Sequence, residues 1–390
     1  MAGILASTVV HAAGRGVDAL WDAACHARSA LRPNPLSWSD LDCWLGEVPG
    51  VQDARLPEQL AAWDCRNNRL AWLALQDESF RDAIAAAVHR YGKSRIGIVL
   101  GTSTSGIQTT ETAYSERRER GAWPINFDYR KIHSLEATAR FTNEVLGLGG
   151  PITTISTACS SSAKAFLTAR RWIDAGWIDA AVVGGVDSLC LSTLYGFNSL
   201  QLLSADPCRP FDARRNGISI GEAAGFVLLA REPASVMLSG AGESSDAWHM
   251  SAPHPEGEGA QAAMNEALKE ARLEPRDIGY VNAHGTATPA NDRAEAAAMR
   301  AVFGPRGVPV SSTKGITGHT LGAAGIVEAI MTAKVLQEKV LPPNVNCETV
   351  DQALDIDLVS TPRESNIRHA MSNNFGFGGS NCTLIFSRTD

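Results

Sequence analysis

The sequence predicts an α/β protein made of two similar halves. Short apolar runs alternate with amphipathic stretches almost throughout, and no Gly/Ser- or Pro-rich linker interrupts them. Each half also closes on a glycine-rich strand, GEAAGFVLLA at 221–230 and GFGGSNCTLIF at 376–386.

Taken in order, Arg66–Val88 carries apolar residues at helical spacing. Arg95–Leu100 (RIGIVL) is a continuous apolar run of strand length. Leu135–Leu146 and Ser161–Asp174 read as helices on either side of the β-branched run that ends near Ile155. Ala180–Gly184 and Gly225–Ala230 read as buried strands, too short and too uniformly apolar for surface helices. A seam at Arg231–Pro233 precedes a fresh apolar run at Ser235–Gly240 and divides the chain into 1–232 and 233–390. Beyond it, Gly259–Glu270, Asp292–Phe303 and Leu321–Gln337 are helical, and Ile278–Ala283 and Cys382–Ser387 are strands.

The 390 residues correspond to about two or three domain-sized units. With 44% hydrophobic and 20% charged residues, the chain can bury a large core. A net charge of −7 argues against broad binding to nucleic acid or an anionic membrane surface. No apolar run approaches the roughly 18 residues of a membrane span, and the N-terminus has no charged region before an apolar one. The eight cysteines are scattered without a CxxC pair, which denies a zinc or iron–sulfur site and a disulfide scaffold. A reduced, cytoplasmic protein without a metal is expected.

Four segments carry chemistry. In ISTACSSSAKAF (155–166) a β-branched run leads through small residues to Cys159 and a helix start. There, free N–H groups and the positive helix end would lower the thiol pKa; a small buried cysteine is the structural alternative. In VNAHGTATPAND (281–292) a strand ends in His284 on a glycine turn, either a catalytic group or a backbone-bound turn histidine. SSTKGITGHTLGAAGIVE (311–328) places Lys314 and His319 on a loop before a helix of small residues. Glu328 can reach Lys314 if the loop folds back, as a salt bridge or as part of a proton-handling site. In NNFGFGGSN (373–381) glycines flank Phe375 and Phe377, giving a plain turn or a loop that supplies an oxyanion donor and an aromatic gate.

Other segments are set aside. GKS at 92–94 lacks the rest of a P-loop, and GTSTSG at 101–106 lacks the GxGxxG pattern. His249 and His254 in HMSAPH have no acidic or cysteine partner at metal-ligand spacing. Arg117–Arg120 reads as a solvated face.

One Cys, two His and one Lys in this order resemble the signature segments of the beta-ketoacyl-ACP synthases of the Cys-His-His kind. CRPFDARRNGISIGEAAGFVLL (208–229) and SDAWHMSAPHPEGEG (245–259) extend the likeness over nearly the whole chain, more loosely at ILAS…VDALWDAACHARSALR. The resemblance implies a thiolase-like fold, two mixed five-stranded sheets in an αβαβα layering, with the nucleophile in the first half and both histidines in the second. It implies a decarboxylating Claisen condensation without cofactor, on substrates carried by the phosphopantetheine of an acyl carrier protein. Cys159 would take the acyl group, and His284 and His319 would donate to the malonyl thioester carbonyl. The N–H groups of Cys159 and Phe377 would form the oxyanion hole, with Phe377 and Phe375 at the gate. Lys314 and Glu328 would support the site, Thr286 and Thr288 would line the phosphopantetheine channel, and Thr104 would lie on the acyl side. The partners implied are the carrier protein and a second chain, in a homodimer or in a heterodimer with a chain-length-factor-like subunit.

The sequence also departs from the family. The opening reads ASTVVHAAG, the cap at 33–65 is short and rich in tryptophan (Trp38, Trp44, Trp63), and GTSTSGI at 101–107 brings Thr and Ser towards the acyl pocket. These features favour a specialised polyene- or aryl-polyene-type synthase over housekeeping fatty-acid elongation. A non-catalytic chain-length-determining subunit would lack the nucleophile, and a thiolase would want a second cysteine in its last glycine loop, which here reads GFGGSN. Arg66 and Arg69 are candidate docking residues for an acidic carrier protein, or else part of a solvated helix face.

Overall fold

In the computed structural model, which describes residues 1–389, ten strands carry the architecture. They are β1 (Ala2–His11), β2 (Ile96–Gly101), β3 (Ile152–Ile155), β4 (Ala180–Asp187) and β5 (Ala223–Ala230), then β6 (Val236–Ser245), β7 (Ile278–Asn282), β8 (Pro309–Ser311), β9 (His369–Gly376) and β10 (Ser380–Arg388). The first five pair in the order β3-β2-β4-β5-β1 and the last five in the order β8-β7-β9-β10-β6. Within each set the order is third, second, fourth, fifth, first. In both, the second strand runs parallel to the third and fourth, and the remaining pairings are antiparallel. The two halves are therefore topological copies. Antiparallel pairing of Ala2 with Leu238 and Gly3 with Met237 joins the two sheets along β1 and β6.

The longer helices are α1 (Val17–Cys25), α2 (Arg66–Ala74), α3 (Glu78–Tyr91), α4 (Ile107–Arg120), α5 (Ala137–Leu146), α6 (Ser161–Asp174), α7 (Leu191–Ser199), α8 (Glu258–Ala271), α9 (Pro289–Phe303) and α10 (Ala324–Glu338), beside single helical turns at Tyr129–Ile132 and Lys314–Thr317. Helix α10 is buried on nearly every face, as an all-round apolar helix must be. It packs with α6 between the two sheets, in one core that also takes Val183, Val227, Leu384 and Phe386. At the crossing, a side chain at Gly325 would stand 2.5 Å from the Ala163 nitrogen, so the backbones meet only because that position is glycine. Helices α2, α3 and α5 cover the outer face of the first sheet, and α8 and α9 that of the second. Helix, sheet, helix, sheet, helix is the expected layering.

The expected helix over 66–88 is two helices. Asp77 leaves the helical conformation and accepts the Phe80 N–H at 2.9 Å, capping α3. Strand β3 is the β-branched run expected before Cys159, whereas strands β8 and β9 and helices α4 and α7 were not expected. These two strands are short or rich in Asn and Gly, and α4 (IQTTETAYSERRER) has almost no apolar face. Among the described residues, no helix is long and apolar enough to cross a membrane.

Candidate active site

Cys159 stands where β3 turns into α6. The turn holds Ala158 at φ +51°, a conformation costly for a residue with a side chain. Ser161 stabilises it, accepting the Thr157 N–H at 2.9 Å and donating to the Ala158 carbonyl at 2.5 Å. The thiol is 5% exposed. Burial pushes its pKa up to about 11, although the Lys314 charge and the Phe377 N–H both favour the thiolate. The expected lowering of the thiol pKa is thus overturned: desolvation of the anion outweighs the donors around it.

His284 follows β7 on the buried Gly285 turn, and α9 supplies the group that fixes it. The Glu295 carboxylate, fully desolvated, accepts the backbone N–H of His284 and of Gly285, each at 2.8 Å. Burial raises its pKa to about 7 against those two donors. His319 is pinned from the other half. Its N–H donates to the Ser219 carbonyl at 2.7 Å, and its own carbonyl accepts the Gly221 N–H at 2.9 Å.

The histidine tautomers follow from donor chemistry. The Lys314 ammonium, which can only donate, lies 3.3 Å from Nδ1 of His284. The Leu321 N–H, equally a donor, lies 3.3 Å from Nδ1 of His319. Both Nδ1 atoms therefore accept, and each neutral ring carries its proton on Nε2. Nε2 of His319 is 2.9 Å from the Cys159 sulfur, and the two rings meet edge to face with centroids 5.3 Å apart. Burial and then the Lys314 charge hold both histidines well below the usual pKa of 6.5, so both stay neutral donors at neutral pH.

Behind them, Lys314 pairs with Glu328, whose second oxygen accepts from Asn374, and all three side chains are buried. This settles the reach of Glu328 back to Lys314. Cys159, His284 and His319 present donor atoms within 4.8 Å of one another, a spacing a metal ion could also use. The Lys314 ammonium beside His284 opposes a second cation there.

The pocket over the thiol is lined by Thr286, Thr288, Phe375, Phe377 and Phe197 among others. The Thr286 and Thr288 hydroxyls lie 3.0 Å apart, and Phe377 packs on Phe197 with centroids 5.3 Å apart. The segment that carries His249 and His254, set aside as metal ligands, also lines the pocket, through Asp246, His249, Ser251 and Pro253. The Gly378 N–H donates to the Met250 carbonyl at 2.9 Å, and the Asp246 N–H donates to the Gly379 carbonyl at 2.9 Å.

Two further expected residues lie outside this pocket. Thr104 does not line this pocket: it is fully buried and donates to Asp187 at 2.8 Å. Arg66 is neither a docking residue nor solvated. It is 5% exposed and forms a two-pronged pair with buried Glu222 at 2.7 Å, while Arg69 is engaged by Asp64 at 2.6 Å. Glu295, Asn374 and Asp187 were not anticipated. Only the adjacent Asn373–Asn374 pair before the Phe-Gly loop offered a local signal, because Glu295 acts on backbone N–H groups and Asp187 on groups more than 80 residues away.

The family model for the N-terminal domain of beta-ketoacyl synthases matches residues 65–234, and that for the C-terminal domain matches 235–348. A 3-oxoacyl-[acyl-carrier-protein] synthase 2 of Vibrio harveyi is 36% identical over 314 residues, covering 76% of either chain. A ketosynthase of Xenorhabdus doucetiae, solved in complex with its chain length factor, is 39% identical, with a TM-score of 0.91 over 100% of this chain and 98% of that one. A beta-ketoacyl synthase of Burkholderia phymatum STM815 is 29% identical, with a TM-score of 0.88 over 100% and 99%.

Proposed function

The chain belongs to the beta-ketoacyl synthase family, and we propose that Cys159, His284 and His319 perform its decarboxylating condensation. It is an acyltransferase of the 3-oxoacyl-[acyl-carrier-protein] synthase type. The tautomers carry the reading: two buried neutral imidazoles, each with Nδ1 occupied by a donor, keep Nε2–H as their free donor beside one thiol.

In the first step the Cys159 sulfur attacks the acyl thioester of a carrier protein. The carbon–sulfur bond to phosphopantetheine breaks, and the cysteine proton leaves on the released thiol. In the second step the bond from the malonyl α-carbon to its carboxylate breaks and carbon dioxide departs. The electron pair becomes an enolate whose oxygen accepts from Nε2–H of His284 and His319. No base is required, which suits a site whose carboxylates, Glu328 and Glu295, are both engaged. The α-carbon then attacks the Cys159 thioester, with the tetrahedral oxygen held by the N–H groups of Cys159 and Phe377. Collapse expels the Cys159 thiolate, which Nε2–H of His319 at 2.9 Å and the Phe377 N–H are placed to receive. Thr286 and Thr288 would hold the phosphopantetheine arm, and Phe375 and Phe377 would gate the malonyl side. Substituting Cys159→Ala should abolish the acyl adduct seen by intact mass; an adduct persisting in that variant would refute the assignment.

We further propose that the chain works in a specialised polyene- or polyketide-type pathway beside a chain-length-factor-like partner. The ketosynthase of Xenorhabdus doucetiae and the ishigamide ketosynthase/chain length factor support this, at 39% and 25% identity over the full chain. The exposed side chains of Trp123, Ile125 and Tyr129 support it as well, because they suit burial against another subunit. Mass measurement in solution, with the purified chain alone and with a candidate partner, tests it: a stable, fully active homodimer would refute the heterodimer.

A further inference from the structure

Asp187, the last residue of β4, is fully buried, and six donor groups converge on its carboxylate. Five come from the turn after β2. They are the Thr102 hydroxyl at 2.6 Å, the Ser103 N–H at 2.8 Å and hydroxyl at 2.5 Å, and the Thr104 N–H at 2.9 Å and hydroxyl at 2.8 Å. The sixth is the Gly322 N–H, at 2.6 Å from Oδ2.

That last bond matters because of what precedes Gly322. Leu321 is held at φ +54°, a costly backbone for leucine. In that conformation it aims its N–H at Nδ1 of His319. A side chain at 322 would meet Asp187 Oδ2 at 2.7 Å and the Ser103 nitrogen at 2.9 Å, so the turn and the carboxylate are built against each other. We propose that Asp187 is a positioning residue: through Gly322 it holds the strained Leu321 turn whose N–H fixes the His319 tautomer, and it ties that turn to the 102–104 loop. The inference rests on the reading of His319 as an Nε2–H donor. It parallels the hold of Glu295 on the His284 backbone, with a carboxylate from a different element securing each histidine.

Asp187→Asn tests it, because the amide nitrogen cannot accept and must face one of the donors. Gly322→Ala, which pushes the carboxylate off the turn from the other side, is the second variant. The readout is the imidazole nitrogen shifts of His319 in 15N-histidine-labelled protein, assigned among the nine histidines by His319→Gln. The wild type is expected to show Nε2–H and both variants a mixed or exchanging signal. Malonyl decarboxylation should fall by at least about tenfold in each, while acylation of Cys159 persists. In Asp187→Asn, iodoacetamide should alkylate Cys159 faster at neutral pH, since a negative charge that disfavours the thiolate has gone. A His319 signal unchanged in both variants overturns the role of Asp187 and leaves the proposed function intact. A wild-type His319 protonated on Nδ1 refutes the donor assignment itself, and this inference with it.

Discussion

Lys314→Ala removes the charge held between His284 and Glu328, and its effects separate cleanly. In the native protein the ammonium donates to His284 Nδ1 at 3.3 Å and pairs with Glu328, with all three side chains buried. Without it, Glu328 keeps only the Asn374 amide, and an unpaired buried carboxylate costs about 3–5 kcal/mol of stability. The double variant Lys314→Met with Glu328→Leu should recover most of that loss, because no stranded charge remains. Chemistry should not recover with it. His284 loses the charged donor that holds its proton on Nε2, an interaction of about 1.5–3 kcal/mol, or roughly 10- to 150-fold in the decarboxylation rate. The Lys314 charge also helps depress the His284 and His319 pKa values, so without it the acid limb of the rate profile should move to higher pH. The assay is single-turnover release of carbon dioxide from malonyl carrier protein between pH 5 and 8, beside urea denaturation of wild type, single and double variants. A double variant that is stable and decarboxylates within threefold of wild type, with its acid limb unmoved, would refute the reasoning.

Other perturbations give separate checks. His11 is buried with a pKa of about 4, so the unfolded chain takes up a proton below pH 6.5 that the native state refuses. Stability should therefore be fully present above pH 6.5 and lose about 3 kcal/mol from this group by pH 4; in urea titrations His11→Asn should flatten that fall, and an equally steep fall in the variant would count against it. Arg66→Ala strands Glu222, which also accepts the Val48 and Leu189 N–H groups, and should cost about 3–5 kcal/mol while leaving carrier-protein affinity unchanged; a selective loss of affinity would restore Arg66 as a docking residue. Glu295→Gln can accept only one of the two N–H groups at His284 and Gly285, so it should cost about 1–3 kcal/mol by urea midpoint and slow decarboxylation more than acylation; equal effects on both steps would reduce Glu295 to a general structural role.

The layering was legible because buried strands such as AAVVG and GFVLLA and the small-residue helix after His319 are strong local signals. The twofold likeness of the halves was faint in sequence and plain in strand order, since topology tolerates almost any apolar side chain. Cys159, His284, His319, Lys314 and Glu328 were legible because each sits in a motif. Asp187 and Glu295 were not: Glu295 acts on backbone N–H groups, which leave no mark on sequence spacing, and Asp187 meets N–H and hydroxyl groups more than 80 residues away. The thiol pKa was misjudged for a related reason: a helix start is visible in sequence, whereas the burial that outweighs it is a property of the packed site. Arg66 misled in the same way, reading as a surface charge until Glu222 arrived from 156 residues away.

Intact mass spectrometry of the protein, incubated with an acyl carrier-protein thioester and then with malonyl carrier protein, tests the central claim most directly. The predicted result is an acyl adduct on wild type, absent from Cys159→Ala, that is discharged on malonyl addition as a 3-oxoacyl carrier protein two carbons longer. An adduct that forms without Cys159, or that malonyl carrier protein fails to discharge, would contradict it.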